Sequence, residues 1–143
     1  MRINYPYLTD YFNYKAWDIA MLTDDSPDPC QRLTRKNIIN TMKWLVNDAQ
    51  LGDTSRGYRN VGPVHWAGSG RQVYSEGGNK GDGYEEAILP VNYDQHGDIL
   101  HEEMYNTMIR PLPMGCRLMV CNFLIAFLFK CIDKSLFTRF YFQ

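Results

Sequence analysis

The residues of this chain that could do covalent chemistry are its cysteines and histidines. The four cysteines are Cys30, Cys116, Cys121 and Cys131. They show no CxxC spacing and no histidine pair lies near them, so the sequence does not predict a zinc site. A single cysteine could still act as a nucleophile, because a neighbouring imidazole lowers the pKa of a thiol and can then protonate a leaving amine.

Such a dyad needs a thiol and an imidazole within hydrogen-bonding distance, although the two residues can be far apart in sequence. Cys121 lies inside an apolar run, where a cysteine is more often an inert core residue than a nucleophile. Gly68, Ser69 and Gly70 resemble the start of a phosphate-binding GxGxxG loop, but Val73 stands where the third glycine belongs. The residue types alone therefore do not identify a complete site.

The composition indicates one ordinary folded domain. The chain has 143 residues, of which 45% are hydrophobic and 22% are charged. These proportions are typical of a domain with a buried core and differ from those of a disordered segment. The formal net charge is −1 and no basic stripe is present, so nucleic acid is not an expected partner.

No stretch predicts a membrane anchor or a secretory signal. The apolar run over residues 118–129 lies between Arg117 and Lys130. It is shorter than the roughly 20 residues that a spanning helix needs, so we interpret it as a buried strand. The N-terminal residues show no signal-peptide-like apolar region. We therefore expect free thiols in a reducing, cytoplasmic setting, and no membrane partner.

The most regular predicted element is an amphipathic helix that begins after Thr34, a suitable N-cap. Apolar residues recur after Thr34 at helical spacing, while polar residues occupy the other face. These apolar residues are Ile38, Met42, Leu45, Val46 and Ala49. A second helix is predicted between Asp98, as its cap, and Pro111, because its apolar residues share one face.

Short apolar runs predict the strands. They cover residues 19–23, 64–66, 87–91 and 117–129, and the interval 51–83 is otherwise predicted to be loop. Strands that alternate with helices predict an α/β fold with a mostly parallel sheet flanked by helices. Active sites of such sheets lie at the carboxyl ends of the strands, which directs attention to the residues after Trp66 and after Val120.

Three segments of the chain resemble metacaspases, a family of caspase-like cysteine peptidases. AMLTDDSPDPCQRLTRKNIINTMKWLVNDAQLGD resembles the family sequence that follows its first helix, and HWAGSGRQ resembles the motif HYSGHGSRQ. The segment GNKGDGYEEAILPVNYDQHGDILHEEMYNTMIRPLPMGCRL resembles a third stretch that contains the family's GDEVDGYDE and VDDE motifs. These motifs occur in the family's order over residues 7–120, and the chain is identified as a degenerate member of the type I, plant-like metacaspases.

The resemblance implies a caspase-like α/β fold. For intact members it implies hydrolysis after Arg or Lys by a Cys–His dyad, often with calcium activation, and a role in programmed cell death. In this chain the catalytic histidine of the SGHG turn falls on Ser69, and the catalytic cysteine of the DACHSG motif falls on Ile125. Phe123 stands at an acidic position that helps to bind basic side chains in the family. His65 matches a structural histidine, and we do not expect it to substitute from four residues earlier.

The resemblance implies at most a weak calcium site. Family carboxylates fall on Glu85 in one motif and on His101 and Glu102 in the next, while Asp82 matches an acidic loop position that has no assigned role. Calcium takes roughly six to eight oxygen ligands, so Glu85 and Glu102 are expected to bind it weakly. No other cofactor is predicted.

The chain departs from the family at both ends and in the middle. The family's first strand and most of its first helix have no counterpart, which predicts a domain truncated at the N-terminus. Residues 54–63 include Gly57, Gly62 and Pro63 where the family has an apolar strand, which predicts a disturbed central strand. Similarity stops after Val120 and divides the chain into a partial caspase-like domain, 1–120, and a divergent hydrophobic tail, 121–143. Faulty exon boundaries and genuine decay would both produce this pattern.

Two functional interpretations follow from these departures. The first is a metacaspase-like member of the Arg/Lys-specific endopeptidase family that is catalytically inactive, because both dyad residues are replaced. The alternative is a non-catalytic binding or regulatory module. Such a module would use unpaired sheet edges to pair with active metacaspases or with peptide segments.

Overall fold

The computed structural model describes residues 9–10, 15–47, 60–74, 83–113, 117–122 and 129–133. In chain order, its elements are a 3-10 turn (Ala16–Asp18), α1 (Arg35–Asn47), β1 (Asn60–Trp66), β2 (Gly70–Tyr74), β3 (Tyr84–Ile88), α2 (Tyr93–His96), β4 (Ile99–Leu100), α3 (His101–Met104), a π-helical turn (Tyr105–Ile109), β5 (Arg117–Asn122) and β6 (Phe129–Asp133). The π-helical turn continues α3 without a break.

Helix α1 begins where the sequence predicts it. The Oγ1 of Thr34 accepts a hydrogen bond from the N–H of Asn37 at 3.4 Å, which is the expected geometry of an N-cap. Ile38 and Met42, one turn apart on the predicted apolar face, are buried. The predicted continuation to Ala49 lies outside the described residues.

The described strands form two small sheets. β1 pairs in parallel with β5, and β5 pairs antiparallel with β6. The second sheet is antiparallel in the order β2–β3–β4. One of these four pairings is parallel, so the described part of the chain does not confirm a mostly parallel sheet. The antiparallel pairs form because β2, β3 and β4 follow one another through connections without a long crossover, which a parallel pair would require.

Strand β1 is irregular where the sequence predicts a disturbance. Its register with β5 shifts between Val61 and Val64, and Gly62 and Pro63 lie in that interval. Proline has no N–H to donate to a ladder, so it is tolerated at edges and bulges. β1 has a single neighbour among the described strands, and the centre of the sheet is occupied by β5.

Two predictions from the apolar runs are wrong. Residues 19–23 do not form a strand, and Thr23 makes only an isolated parallel bridge with Arg32. No described strand pairs with this run. Met21 is exposed, and Leu22 packs partly buried against the core. β3 begins at Tyr84 and ends at Ile88, earlier than predicted, and β2 occupies residues that were predicted to be loop.

In the described part of the chain, one core joins both sheets to the helices. Its buried members are Ile38, Met42, Ile88, Ile99, Met108, Ile109, Leu112 and Leu118. Ile99 of β4 and Leu118 of β5 are fully buried. Because these two residues belong to different sheets, the core holds the β1–β5 pair against the β2–β3–β4 sheet.

The π-helical turn widens the helix that follows β4. The N–H of Arg110 donates to the carbonyl of Tyr105 at 3.0 Å, a bond that spans five residues instead of four. Met108 and Ile109 are consecutive, and both are buried. Among the described residues, no helix is both long and apolar enough to cross a membrane.

Candidate functional site

The carboxyl ends of β1 and β5 lie side by side, because these strands are parallel. Trp66, the last residue of β1, is the register partner of Asn122, the last residue of β5. Ser69 follows Trp66 by three residues, and Ile125 follows Asn122 by three residues. The two dyad positions that the resemblance identifies therefore each come three residues after the same sheet edge in the sequence, and Ile125 lies outside the described residues.

Ser69 lies in the turn between β1 and β2, and its side chain is exposed. Its main-chain carbonyl accepts a hydrogen bond from the N–H of Leu89 at 3.0 Å, which ties the turn to the end of β3. A Cβ added to Gly68 would lie 2.5 Å from the Cζ2 of Trp66, so the turn is packed directly over the indole ring. The turn is thus fixed by the end of β3 and by the Trp66 ring, and the Ser69 hydroxyl faces solvent.

The indole ring below this turn belongs to Trp66, which is partly buried against the core. The Nε1 of Trp66 is buried and has no hydrogen-bond partner in the described part of the chain. Leaving a buried donor unpaired costs about 1–3 kcal/mol. Among the described residues, this donor has no polar partner, and it lies three residues before Ser69 in the sequence.

A histidine and a cysteine share a register position just inside this edge. His65 of β1 is the partner of Cys121 of β5, and paired strands lie about 4.8 Å apart. The side chain of Cys121 is not among those described. The sequence alone did not reveal that these two residues are register partners. The available signal was the spacing, because His65 precedes Ser69 by four residues and Cys121 precedes Ile125 by four.

The predicted calcium residues Glu85 and Glu102 are neighbours through a main-chain contact. The Oε1 of Glu85, a buried residue of β3, accepts a hydrogen bond from the N–H of Glu102 at 2.7 Å. Leu100, the N-cap of α3, makes no side-chain capping bond. Glu85 therefore supplies from another strand the acceptor that a helix N-terminus needs.

The calcium site itself stays a prediction. His101 is half-buried and begins α3, while Asp82 lies outside the described residues. Among the side chains that are described, no group of three or more His, Cys, Asp or Glu residues is arranged to hold a metal ion. Glu85 and Glu102 could contribute oxygen ligands only together with groups beyond this part of the structure.

A polar network fixes the loop before β4. Arg71 donates to both carboxylate oxygens of Asp98, at 2.8 and 3.1 Å, and these bonds raise the pKa of Arg71. The guanidinium carbon lies 5.5 Å from the centre of the Tyr93 ring, within the range of a cation–π contact. Asp98 was predicted to cap the second helix, and this is wrong: its carboxylate pairs with β2, and α3 begins at His101.

The same loop is anchored to α1. Arg35 forms an ion pair with Glu103 at 2.5 Å and donates from Nε to the carbonyl of Asp98 at 3.4 Å. Its main-chain N–H donates to the Oδ1 of Asn92 at 3.0 Å. The start of α1, the Asp98 loop and α3 are therefore joined by side-chain contacts as well as by the core.

Comparison with known proteins agrees with the motif resemblance. The sequence matches the family model "Metacaspase, peptidase C14 domain" over residues 3–122. It is 42% identical over 112 residues to Metacaspase-1 of Cryptococcus neoformans, which covers 78% of this chain and 23% of that protein. Metacaspase-1B of Neurospora crassa is 40% identical, with 78% of this chain and 25% of that protein covered.

A third relative, Metacaspase-1 of Scheffersomyces stipitis, is 38% identical over 78% of this chain and 26% of its own length. The chain thus spans about a quarter of the length of these curated relatives. The family model covers most of the chain, including every described helix and strand from α1 to β5. This chain belongs to the metacaspase family of C14 peptidases, whose caspase-like fold it shares.

Proposed function

We propose that this chain is a metacaspase-family domain that does not hydrolyse peptide bonds. The observation that carries the proposal is Ser69, which occupies the exposed turn after β1 where the resemblance places the catalytic histidine. A serine hydroxyl does not take up a proton near neutral pH. It therefore cannot raise the thiolate fraction of a cysteine or protonate the leaving amine.

The second dyad position strengthens the proposal. Ile125 carries a hydrocarbon side chain, which offers no nucleophile for attack on a carbonyl. Residues of a catalytic unit act together, so losing one of them already removes most of the rate. Losing both leaves only binding and positioning, which alone do not form the covalent intermediate.

The test is cleavage of fluorogenic peptides that end in Arg or Lys, measured with and without calcium. The chain is compared with Cys121→Ala, His65→Ala and the matched control Cys30→Ala, which removes an exposed cysteine far from β5 in sequence. We expect the same background signal from all four proteins. Turnover that Cys121→Ala or His65→Ala abolishes and Cys30→Ala preserves would overturn the proposal and assign catalysis to the registered His65–Cys121 pair.

Calcium binding is proposed to be weak. Glu85 and Glu102 are the predicted ligands, and one oxygen of Glu85 already accepts the Glu102 N–H. Thermal unfolding of the full chain with added calcium measures the effect. We expect a stabilising shift only at millimolar calcium, on the order of 10⁻³ M, and no shift in Glu85→Gln. A shift at micromolar calcium would contradict this expectation.

The second candidate function is a non-catalytic module that pairs with active metacaspases. It is supported by β1 and β2, which lie at sheet edges in the described part of the chain. Co-purification of the tagged chain with a full-length metacaspase tests it, and a stable complex is the expected result. Recovery of the tagged chain without the metacaspase would argue against this role. The type I, plant-like class, a role in programmed cell death and a cytoplasmic location stay predictions of the resemblance.

A further inference from the structure

The side chain of Asn92 connects two segments that lie far apart in the sequence. Its Oδ1 accepts a hydrogen bond from the main-chain N–H of Arg35, the first residue of α1, at 3.0 Å. Its Nδ2 lies 3.1 Å from the Nδ1 of His96, the last residue of α2. One amide group therefore binds both the start of α1 and the imidazole of His96.

The first of these contacts determines the second. A main-chain N–H can only donate, so the amide atom that faces Arg35 is the oxygen of Asn92. The amide nitrogen, which then faces His96, is also only a donor. The Nδ1 of His96 must therefore accept this bond, and an imidazole nitrogen accepts only while it carries no proton. Both contacts exist together only when His96 is neutral and carries its proton on Nε2.

Protonation of His96 makes the two contacts mutually exclusive. A charged imidazole carries a proton on both ring nitrogens, so Nδ1 no longer offers an acceptor to Asn92. Rotating the amide by half a turn would present Oδ1 to His96, but the amide nitrogen would then face the N–H of Arg35, a donor against a donor. One of the two contacts is lost in either arrangement.

The charged groups around His96 do not replace the lost contact. The cavity that His96 lines with α1 carries the cations Arg35 and Lys36. Asp94 belongs to α2, but side chains two residues apart on a helix do not face each other. Both carboxylate oxygens of Asp98 already accept hydrogen bonds from the guanidinium of β2. A protonated His96 therefore gains no carboxylate partner from these groups.

The effect of protonation should stay local, because main-chain atoms fasten the same turn a second time. The N–H of Val91 donates to the carbonyl of Leu33 at 3.0 Å, and neither group titrates. Acid should therefore release the Arg35 amide without detaching the turn. The guanidinium of Arg35 also binds Glu103 of α3 and the carbonyl of Asp98, so the released residue is one that joins α1 to α3.

We propose that Asn92 and His96 form a pH-sensitive switch at the start of α1. Above the range in which histidines titrate, roughly pH 5 to 8, His96 is neutral and Asn92 binds α1. The stabilisation from this contact is lost as the pH falls through that range, because the protonated ring competes for the amide. His96 is exposed, so protons reach it directly from solvent. The proposal uses neither Ser69 nor Ile125 and is independent of catalytic inactivity.

The test is a pH titration of the full chain, from about pH 8 to about pH 5, followed by NMR. Long-range nitrogen–proton correlations of the ring should show the Nε2–H tautomer of His96 at the upper limit. The Arg35 amide proton should move upfield, as an amide that loses an acceptor does, along the same curve as the His96 ring. The Val91 amide is the internal control and should not follow this curve.

A non-titrating variant provides the second measurement. His96→Asn places a carbonyl oxygen near the position of Nδ1, so it keeps an acceptor for Asn92 at every pH. Acidification should raise the unfolding equilibrium constant of the unmodified chain, relative to that of His96→Asn, by about two- to tenfold, the effect of one hydrogen bond. In the Asn92→Asp background the same comparison should reverse its sign, because a carboxylate accepts from the protonated ring and from Arg35 together.

Three results would overturn the proposal. The first is a His96 ring that carries its proton on Nδ1 at the upper pH limit. The second is an Arg35 amide that does not follow the ring, or that follows the same pH curve in His96→Asn. The third is an unfolding constant whose pH dependence is the same in the unmodified chain and in His96→Asn.

Discussion

The region where β3 meets α1 and α3 differs from the region where β1 and β5 end. In the first, Glu85 caps α3, Arg35 pairs with Glu103 and the core is closed around Ile99. In the second, the indole N–H of Trp66 has no hydrogen-bond partner among the described residues, and the turn above it exposes a serine. These stabilising contacts therefore do not involve the predicted dyad positions. The dyad replacements that the resemblance implies at Ser69 and Ile125 would therefore leave this packing in place.

The largest effect is expected from removing core packing where β3 meets α1 and α3. Ile99 is fully buried, so Ile99→Ala leaves a cavity and should lower the free energy of unfolding by about 2–5 kcal/mol. Urea denaturation measures the loss. Val91→Ala, at a 38% exposed residue, is the control and should stay within about 0.5 kcal/mol. Equal effects of the two variants would mean that the scaffold has no such core.

Substitution in the turn after β1 should lower the free energy of unfolding by a smaller amount, because Trp66 still limits the space there. Gly68→Ala brings a Cβ to within 2.5 Å of the indole ring, and overpacking of this kind costs about 1–3 kcal/mol. The same substitution in a Trp66→Leu background should cost less, because the ring that it meets is gone. A cost that is unchanged in that background would place its cause in the main chain instead of the ring.

The remote cap of α3 can be tested with two substitutions of one residue. Glu85→Ala leaves the Glu102 N–H without its acceptor and should lower the free energy of unfolding by about 1–3 kcal/mol. Glu85→Gln keeps an oxygen acceptor and should lose less. Denaturation curves of both variants measure the difference. A larger loss for Gln than for Ala would show that Glu85 stabilises the fold by something other than this hydrogen bond.

The smallest expected effect is the ion pair between α1 and α3. The side chains of Arg35 and Glu103 are 32% and 33% exposed, so a double-mutant cycle with Arg35→Gln and Glu103→Gln should give a coupling of about 0.2–1 kcal/mol. High salt should reduce that coupling, because solvent screens a partly exposed pair. A coupling that is insensitive to salt would argue for a buried hydrogen bond rather than an ion pair.

Features that depend on neighbouring residues were predictable from the sequence. Thr34 and the apolar spacing after it predict α1, since capping and helical periodicity act within a few residues. The assignment of the dyad positions to Ser69 and Ile125 rests on the order of the motifs and stays a prediction. The strand-end location of Ser69 also agrees with the expectation that chemistry lies at the carboxyl ends of strands.

Features that depend on distant partners were not predictable. Residues 19–23 look like a strand, yet a strand needs a pairing neighbour that an apolar run cannot reveal. β2 looks like loop, because its hydrogen bonds come from β3, which begins ten residues after β2 ends. Asp98 has the chemistry of a cap, but Arg71 takes its carboxylate while Glu85 does the capping. The pairing of His65 with Cys121 needs the β1–β5 register, which only the folded chain supplies.

The π-helical turn after α3 has a consequence for how this segment tolerates length changes. The wide turn lets Met108 and Ile109 both enter the interior, although consecutive residues of an ordinary helix point about 100° apart. Deleting one residue there would restore ordinary α-helical spacing. The residues after the deletion would then rotate by about 100° around the helix axis. The side chain of Leu112, which is now buried, would then turn outward. This stretch should therefore accept substitutions far more readily than insertions or deletions.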